Sequence, residues 1–137
     1  MPDPLKHEAD AWLARAKDDL RAANKLMSGD TPFTAIASYH CQQAAEKALK
    51  GIIASSGTAI PKTHDLRLLV DRCSSLDASF ESLRDACDEL TPYATEFRYP
   101  TDIPDPTIHE IESVIALSSA ILDAAMQSLS QRFPTIP

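Results

Sequence analysis

Cysteine is scarce in this chain. Its 137 residues include three cysteines, Cys41, Cys73 and Cys87, and no two of them have the spacing of a CxxC pair. Three scattered cysteines do not make a disulfide framework, and without CxxC spacing a zinc site is not indicated. We therefore expect reduced, mostly buried cysteines, as in a cytoplasmic protein.

Glycine-rich and metal-binding motifs are missing as well. With only three glycines, the chain has no loop of the kind whose backbone N–H groups hold phosphates, and it has no GxSxG turn for a catalytic serine. The four histidines lie too far apart in the sequence to form a metal-ligand pair on one helix; they are His7, His40, His64 and His109. We expect neither a metal nor another cofactor.

Long apolar segments are also missing. No run of apolar residues reaches the ~18 that would span a membrane. The first residues, Met-Pro-Asp-Pro, do not have the pattern of a signal peptide. The expectation is therefore a cytoplasmic protein without a membrane partner.

Positive charge is in short supply overall, since the formal net charge is −7. Residues 1–64 carry eight Lys and Arg against seven Asp and Glu, whereas residues 65–137 carry five against thirteen. Non-specific nucleic-acid binding needs clustered Lys and Arg to contact phosphates, so the net charge does not indicate RNA as a partner. A local basic pocket in the first half is compatible with this distribution.

Apolar residues recur at helical spacing along the whole chain. Hydrophobic residues make up 44% and charged residues 24%, as in globular proteins, and no stretch alternates as a strand does. The spacing predicts helices at about residues 5–28, 32–56, 64–76, 78–90 and 106–131. We predict one all-α domain over residues 1–137, an antiparallel bundle of four to five helices with its core at about 5–131 and a loose tail at 132–137.

Proline pairs supply the predicted helix starts. In each pair Asp or Thr caps the first turn, and proline takes the first helical position, where its missing N–H costs nothing. The pairs are Asp3-Pro4, Thr31-Pro32, Thr91-Pro92 and Asp105-Pro106. Thr63 is the predicted cap of the third helix. The second helix is apolar around most of its circumference and is therefore predicted to be the central one.

A polar seam nevertheless runs along the second helix. Its members recur at three- and four-residue steps, so that their side chains cluster; they are Tyr39, His40, Gln43, Glu46, Lys47 and Lys50. One interpretation is a groove for an anionic ligand or a partner chain, in which Gln43 supplies hydrogen bonds and Lys47 and Lys50 supply charge. The alternative is a solvated edge on which Glu46 pairs with Lys50.

Two further segments carry basic residues. Lys62 and His64 flank the start of the third helix, where free N–H groups favour anions. The alternative is a plain capped start with His64 hydrogen-bonded to a neighbour. Arg98 lies between Phe97 and Tyr99, and its planar guanidinium suits a phosphate or a carboxylate; the alternative is a structural ion pair.

Three separated motifs in this order resemble the HEPN domain family (higher eukaryotes and prokaryotes nucleotide-binding). They are SYHCQQAAEKALK at residues 38–50, PKTHDL at 61–66 and FRYP at 97–100. The stretch AKDDL at residues 16–20 and the long last helix fit as well. The resemblance covers the chain from about residue 5 to about residue 130, nearly all of the predicted domain.

The resemblance implies a helical bundle like that of nucleotidyltransferase substrate-binding subunits. It also implies a homodimer, a minimal nucleotidyltransferase as partner in a two-component, toxin–antitoxin-like system, and a bound nucleotide in some members. Many other members are ribonucleases with an Arg-x(4–6)-His motif in a dimer cleft. None of the seven arginines here has a histidine at that spacing, so the sequence departs from the ribonuclease pattern.

The leading hypothesis is a nucleotide- or anion-binding homodimer rather than an enzyme. Its predicted contacts are Gln43, Lys47, Lys50, Lys62, His64 and Arg98. A second hypothesis is a metal-independent ribonuclease toxin in which His64 is the acid/base group and Arg98 holds the phosphate. A third is a protein-interaction domain whose seam is the dimer interface.

Overall fold

Five α-helices make up the structure, a computed structural model that describes residues 3–94 and 104–135. Two 3-10 segments, Ala78–Leu83 and Thr91–Ala94, flank the fourth helix. The α-helices are α1 (Pro4–Met27), α2 (Thr34–Ser55), α3 (Leu66–Leu76), α4 (Arg84–Leu90) and α5 (Ile108–Arg132). The described part of the chain contains no strand, and the predicted all-α bundle is confirmed.

Helix α1 begins as predicted, whereas α2 does not. The Oδ1 atom of Asp3 accepts a hydrogen bond from Leu5 N at 2.9 Å, and proline follows in the first helical position. Thr31-Pro32 does not start α2, which begins after Phe33 without a side-chain cap. Phe33 N donates to Leu26 O at 3.0 Å. This tight backbone link between the two helices sets the helix start in place of a capping side chain.

The later helix starts also differ from the prediction. Asp65, rather than Thr63, caps α3 by accepting a hydrogen bond from Arg67 N at 3.0 Å. Thr107 caps α5, so Asp105-Pro106 lies before the helix. The predicted fourth helix begins as a 3-10 segment capped by Asp77. In each case a polar side chain nearer the first turn reaches the free N–H groups, which is what a cap requires.

Helices α1 and α2 form a close antiparallel hairpin. Ala9 and Ala16 on α1 and Ala45 on α2 are fully buried. Gly51 lies against α1, because a Cβ atom at this position would stand 3.2 Å from Trp12 Cβ and 3.3 Å from Ala9 O. Small residues therefore let the two backbones approach closely.

Helix α2 is the central element, as predicted. Every residue from position 41 to position 55 is buried except Lys47. Helix α5 packs on it in the parallel direction: Ser118 Oγ donates to Cys41 O at 2.7 Å, and Arg132 Nη1 donates to Ser55 Oγ at 2.7 Å. The same number of residues separates the two contacts on α2 and on α5, and both helices run from the first contact to the second. The chain between α2 and α5 thus returns along the bundle before α5 begins.

Helices α3 and α4 form a second antiparallel pair on the other side of α2. Arg67 pairs with Asp88 at 2.6 Å near the start of α3, and Arg84 pairs with Asp71 at 3.1 Å one turn later. Cys73 Sγ lies 3.4 Å from Leu49 O, which holds α3 against α2. This packing sets the start of α3 beside the middle of α2.

Helix α5 is the one described helix with the length and composition of a membrane span. Serines and one aspartate interrupt its apolar sequence, which is why no unbroken apolar run is present. Its residues Ile111, Ile121 and Ala125 are fully buried in the common core. Core helices of soluble proteins share these features.

Candidate functional site

The polar seam of α2 separates into two groups of side chains. The first, the Glu46 cluster, consists of Glu46 and Lys50 on α2 and His64 from the loop before α3. The second, the Asp19 cluster, consists of His40 and Lys47 on α2 and Asp19 on α1. In each cluster one carboxylate binds one imidazole and one ammonium group.

The Glu46 cluster is an ion pair with a histidine attached. Glu46 Oε2 lies 3.1 Å from Lys50 Nζ, and Glu46 Oε1 lies 2.7 Å from His64 Nδ1. The helical spacing of four residues between Glu46 and Lys50 brings these side chains together. The predicted pairing is confirmed, but the edge is not solvated, since Glu46 is 4% exposed and Lys50 is 8% exposed. The side chain of His64, in contrast, is 59% exposed.

The position of His64 is fixed by both its side chain and its backbone. Gln42, which is fully buried, donates from Nε2 to His64 O at 3.1 Å. Gln43 Nε2 in turn donates to Gln42 Oε1 at 2.7 Å. The imidazole is therefore held at the surface by groups that lie inside the bundle. Of the predicted contacts, Gln43 supports this arrangement through Gln42.

The tautomer of His64 follows from its partner. A carboxylate oxygen only accepts hydrogen bonds, so Nδ1 carries the hydrogen that faces Glu46. The other ring nitrogen, Nε2, forms no hydrogen bond with the described residues, and the side chain as a whole is largely exposed. In the neutral ring Nε2 accepts a hydrogen bond, and in the charged ring it donates one. The site can therefore receive a hydroxyl group in one state and a phosphate oxygen in the other.

Lys50 is turned into the bundle. Besides Glu46 it contacts Trp12 on α1, with Nζ 5.9 Å from the centre of the indole ring. A cation over an aromatic face is stabilised by the ring quadrupole. Because Gly51 lets α1 approach here, the indole ring covers the ammonium group. Lys50 thus acts on the site through Glu46, whose charge it balances.

The Asp19 cluster lies between α1 and α2. Asp19 Oδ1 is 2.9 Å from His40 Nδ1, and Asp19 Oδ2 is 2.5 Å from Lys47 Nζ. All three side chains are partly exposed, at 12% for Asp19, 29% for His40 and 27% for Lys47. Tyr39 meets the edge of the His40 ring, with centroids 5.7 Å apart. The predicted contact Lys47 is therefore already paired with a carboxylate.

Two N–H groups at the start of α3 already have acceptors within the chain. Asp65 accepts from Arg67 N at 3.0 Å, and the hydroxyl of Thr91 accepts from Leu66 N at 3.3 Å. An anion at this helix start, with Lys62 and His64 as donors, stays a prediction. The alternative, a capped start with His64 hydrogen-bonded to a neighbour, is confirmed.

Two predicted contacts remain, Lys62 and Arg98, and the structure describes only the first of them. Lys62 is exposed, two residues before His64. It forms no hydrogen bond or ion pair with any residue in the described ranges, so its ammonium group is available for a ligand. Arg98 lies outside the described residues and stays a prediction.

Sequence reasoning missed one member of these clusters, Asp19, and two residues that contact their members, Gln42 and Trp12. Gln42 carried a signal, since it is a polar residue on the apolar side of a central helix, four residues before Glu46. Asp19 is part of the AKDDL stretch, but no local pattern relates it to Lys47, 28 residues away. Trp12 lies on α1, and its contact with Lys50 depends on how α1 packs against α2.

The cysteines do not contribute reactive groups. All three are free and buried. Burial raises the pKa of the Cys41 thiol to about 12 and that of the Cys87 thiol to about 12. Burial also raises the pKa of Cys73. A thiol with so high a pKa is protonated at neutral pH and is not a nucleophile.

One open groove of 260 Å³ lies elsewhere, between α1 and the end of α5. Lys6 and Asp10 form an ion pair at 2.6 Å on one side of it, and Leu13 and Leu129 contribute apolar surface. No residue of the two clusters lines this groove. Nor do the described residues include a group of three or more His, Cys, Asp and Glu side chains placed to hold a metal ion.

Comparison with known proteins shows one family. A family model described as HEPN domain matches residues 9–129. A search of curated proteins found no match. Among solved structures, the chain is similar to TT1696 from Thermus thermophilus, with 31% sequence identity and a TM-score of 0.72. The alignment covers 88% of this chain and 97% of that one.

A second solved structure shares the fold. It is ST0689, described as an archaeal HEPN homologue, with 23% sequence identity and a TM-score of 0.70. The alignment covers 89% of this chain and 98% of the archaeal chain. Both alignments run over nearly the whole length of the related protein, so the described helices account for the complete shared fold.

Proposed function

The chain belongs to the HEPN domain family, and from this premise we propose that it is a nucleotide- or anion-binding homodimer that acts with a minimal nucleotidyltransferase. The proposal places the anion at the Glu46 cluster, where the residues His64 and Lys62 are both exposed. Arg98 joins this contact set from the sequence alone. The two-component, toxin–antitoxin-like setting comes from the family resemblance.

One observation carries the proposal: a buried carboxylate, Glu46, holds the Nδ1 atom of an exposed imidazole, His64, at 2.7 Å. Burying a carboxylate is costly unless charged and hydrogen-bonding partners surround it. Here those partners are Lys50, which is buried too, and His64, which is not. A buried acid that orients an exposed histidine prepares that histidine for contact with a ligand, as such acids do in metal and catalytic sites.

Calorimetric titration with ATP and with GTP at low salt tests nucleotide binding. We expect heat on titration of the folded protein and about fivefold weaker binding by His64→Ala, because one hydrogen bond of roughly 1 kcal/mol is lost. His7→Ala is the matched control, since His7 is equally exposed but lies on α1 away from the cluster. A folded sample that gives no heat with either nucleotide would refute the binding proposal.

Light scattering tests the homodimer, and co-purification tests the partner. A dimer mass at micromolar concentration is expected. A monomer mass under the same conditions would remove the dimer from the proposal. For the partner, the protein is co-expressed with a minimal nucleotidyltransferase from the same genome and purified by a tag on one chain. Recovery of the tagged chain alone would exclude a stable complex.

A second candidate function is metal-independent RNA cleavage, which the same pair of residues favours. A histidine whose Nδ1 is held by a carboxylate is the usual form of a general base. The Arg-x(4–6)-His motif of the family's ribonucleases is absent. In this hypothesis the catalytic histidine, His64, therefore lies outside any such motif. Incubation of total RNA with the wild type and with His64→Ala decides this. Equal cleavage by both proteins, or none by either, would eliminate the ribonuclease.

A further inference from the structure

The groove between α1 and the end of α5 has an apolar floor that is open to water. Leu13 of α1 and Leu129 of α5 line it and are nearly buried, at 6% and 7% exposed, so they form its floor. Phe133 packs against the core beside them. Met126 also lines the groove but is 39% exposed. An apolar surface of this kind favours a ligand whose apolar part covers it.

Two lysines border this apolar floor, and they differ in their partners. Lys6 forms an ion pair with Asp10 at 2.6 Å, and both residues line the groove. Lys17 lines the groove as well, but it has no hydrogen bond or ion pair with any residue in the described parts of the chain. The charged side chains around the floor therefore carry an excess of one positive charge, located at Lys17.

The directions of the helices set the order of these groups along the groove. Helix α1 is antiparallel to α2, and α5 is parallel to α2, so α1 and α5 are antiparallel to each other. Lys17 and Met126 therefore belong to one end of the groove, and Lys6 and Phe133 to the other. Leu13 is four residues before Lys17, about one helical turn, which places the unpaired ammonium group next to the apolar floor.

The size of the groove limits the ligand. Its volume of 260 Å³ equals that of about nine water molecules at ~30 Å³ each. A ligand of about ten non-hydrogen atoms fills such a space. Ligand sites are commonly apolar, with a few polar groups that fix the orientation of the ligand, and here Lys17 is the group that selects an anionic head.

We propose that this groove is a binding site for a medium-chain carboxylate such as octanoate, which has one anionic head and one unbranched apolar chain. The carboxylate pairs with Lys17, and the chain lies on Leu13, Met126 and Leu129. No residue of the Glu46 cluster takes part, so this site is independent of the nucleotide or anion site proposed above. Failure of either proposal leaves the other unaffected.

The methionines make a direct test by NMR. Met126 lines the groove, whereas Met27 lies in the last turn of α1 and does not. The methionine methyl resonances of the full chain are followed during separate titrations with octanoate, hexanoate and acetate. Octanoate is expected to shift Met126 and to leave Met27 in place. Hexanoate should bind about fivefold more weakly, because two fewer methylene groups leave water, and acetate should shift neither.

Two results of these titrations would overturn the proposal. If acetate shifts Met126 at the same concentration as octanoate, the apolar floor contributes nothing to binding. If octanoate shifts Met126 and Met27 alike, or shifts neither, no ligand site is present in the groove.

Lys17→Gln tests the anionic head of the ligand. It is expected to weaken octanoate binding about threefold at low salt, since an exposed ion pair is lost, and to leave the binding of the uncharged analogue octanol unchanged. Lys25→Gln is the matched control, because Lys25 is an exposed lysine of α1 outside the groove. An equal loss for octanoate and octanol, or no loss for either, would overturn the assignment of Lys17.

Met126→Glu tests the groove itself. A carboxylate at this position repels that of the ligand and removes apolar surface, so we expect at least tenfold weaker octanoate binding. Gln127→Glu, at an exposed neighbouring position outside the groove, should change the affinity less than twofold. Light scattering is measured on both variants. If Met126→Glu alone converts a wild-type dimer into a monomer, the groove is a contact between two copies of the chain, and the ligand site is overturned.

Discussion

The Glu46 cluster and the Asp19 cluster contain the same three kinds of side chain, but water reaches them to different degrees. Glu46 and Lys50 lie inside the bundle, and only His64 is exposed. In the Asp19 cluster all the members are partly exposed. In the Glu46 cluster the loop before α3 and Trp12 of α1 contact the buried pair, whereas the Asp19 cluster is formed by residues of α1 and α2 at their partly exposed boundary. The same three kinds of side chain are therefore expected to contribute differently to stability in the two clusters.

The comparison shows where the stability of the protein depends on charge. A buried ion pair contributes little relative to apolar residues, but removing one partner leaves an unpaired charge at high cost. A partly exposed pair is screened by water and salt, and either partner is dispensable. The predictions below test this contrast, in order of decreasing effect.

The largest effect is expected for Lys50→Met. The substitution leaves the Glu46 carboxylate buried without its ammonium partner, which destabilises the fold by roughly 3 kcal/mol. The free energy of unfolding in urea measures it. Lys17→Met is the matched control, because Lys17 is an exposed lysine on α1, and it should change stability by less than about 0.5 kcal/mol.

A second variant separates lost charge balance from lost packing. Combining Lys50→Met with Glu46→Gln removes both charges, so that at least half of the lost stability should return. No recovery would mean that the Lys50 side chain stabilises the fold by packing on Trp12 rather than by its charge.

The next effect concerns the close approach of α1 that covers the Glu46 cluster. Gly51→Ala places a methyl group 3.2 Å from Trp12 Cβ and 3.3 Å from Ala9 O, and helix α1 must shift. Overpacking of this kind costs typically 1–3 kcal/mol, against which the better helix propensity of alanine returns about 1 kcal/mol. We expect a net loss of about 1 kcal/mol in urea unfolding, with a change in Trp12 fluorescence. A more stable variant with unchanged fluorescence would show that the helices are not in tight contact there.

Asp19→Asn should have a smaller and salt-sensitive effect. It removes the charge that holds His40 and Lys47, but both are partly exposed, so the expected loss is about 0.5–1 kcal/mol. Asp18→Asn is a suitable control, as Asp18 is an exposed neighbour that only meets Arg21 at 3.6 Å. Unfolding is compared at low and at high salt. A loss as large as that of Lys50→Met, or one that is unaffected by salt, would contradict the contrast between the clusters.

The smallest effect is expected at Asp77, a carboxylate held by hydroxyl and N–H donors rather than by cations. Hydrogen bonds from Ser79, and then from Ser128, hold the pKa of Asp77 below its ordinary value of 3.8. A lowered pKa contributes stability above the unfolded-state value that is lost as the pH falls through the folded-state pKa. Asp77→Asn should therefore be less stable than the wild type near neutral pH, and the difference should shrink as the pH falls below about 3.8 and vanish below the folded-state pKa of Asp77. A difference that persists in acid would assign the effect to the amide substitution rather than to the charge.

Much of the fold was predictable because helix periodicity is local. The spacing of apolar residues predicted all five helices, and the apolar circumference of α2 predicted its central position. The starts were predicted less well. Thr31-Pro32 is a suitable cap by its chemistry, but the backbone hydrogen bond from Phe33 to Leu26 decides where α2 begins. A rule for side-chain caps does not include such a link between helices.

The site was predictable only in part, and for a related reason. The pairing of Glu46 with Lys50 follows from helical spacing alone. The partners of the two carboxylates come from other elements: His64 is 18 residues from Glu46, and Lys47 is 28 residues from Asp19. No local pattern relates such distant positions.

The sequence by itself determined the elements, the family and the presence of a polar seam on an otherwise apolar helix. Each of these depends on side chains a few residues apart, or on motifs that are read in order. Only the tertiary structure decided that the seam is two clusters, that Lys50 is turned inward, and that His64 is exposed while the acid that holds it is buried. Burial depends on what α1 and α3 cover, and that is a property of the packed bundle rather than of any one helix.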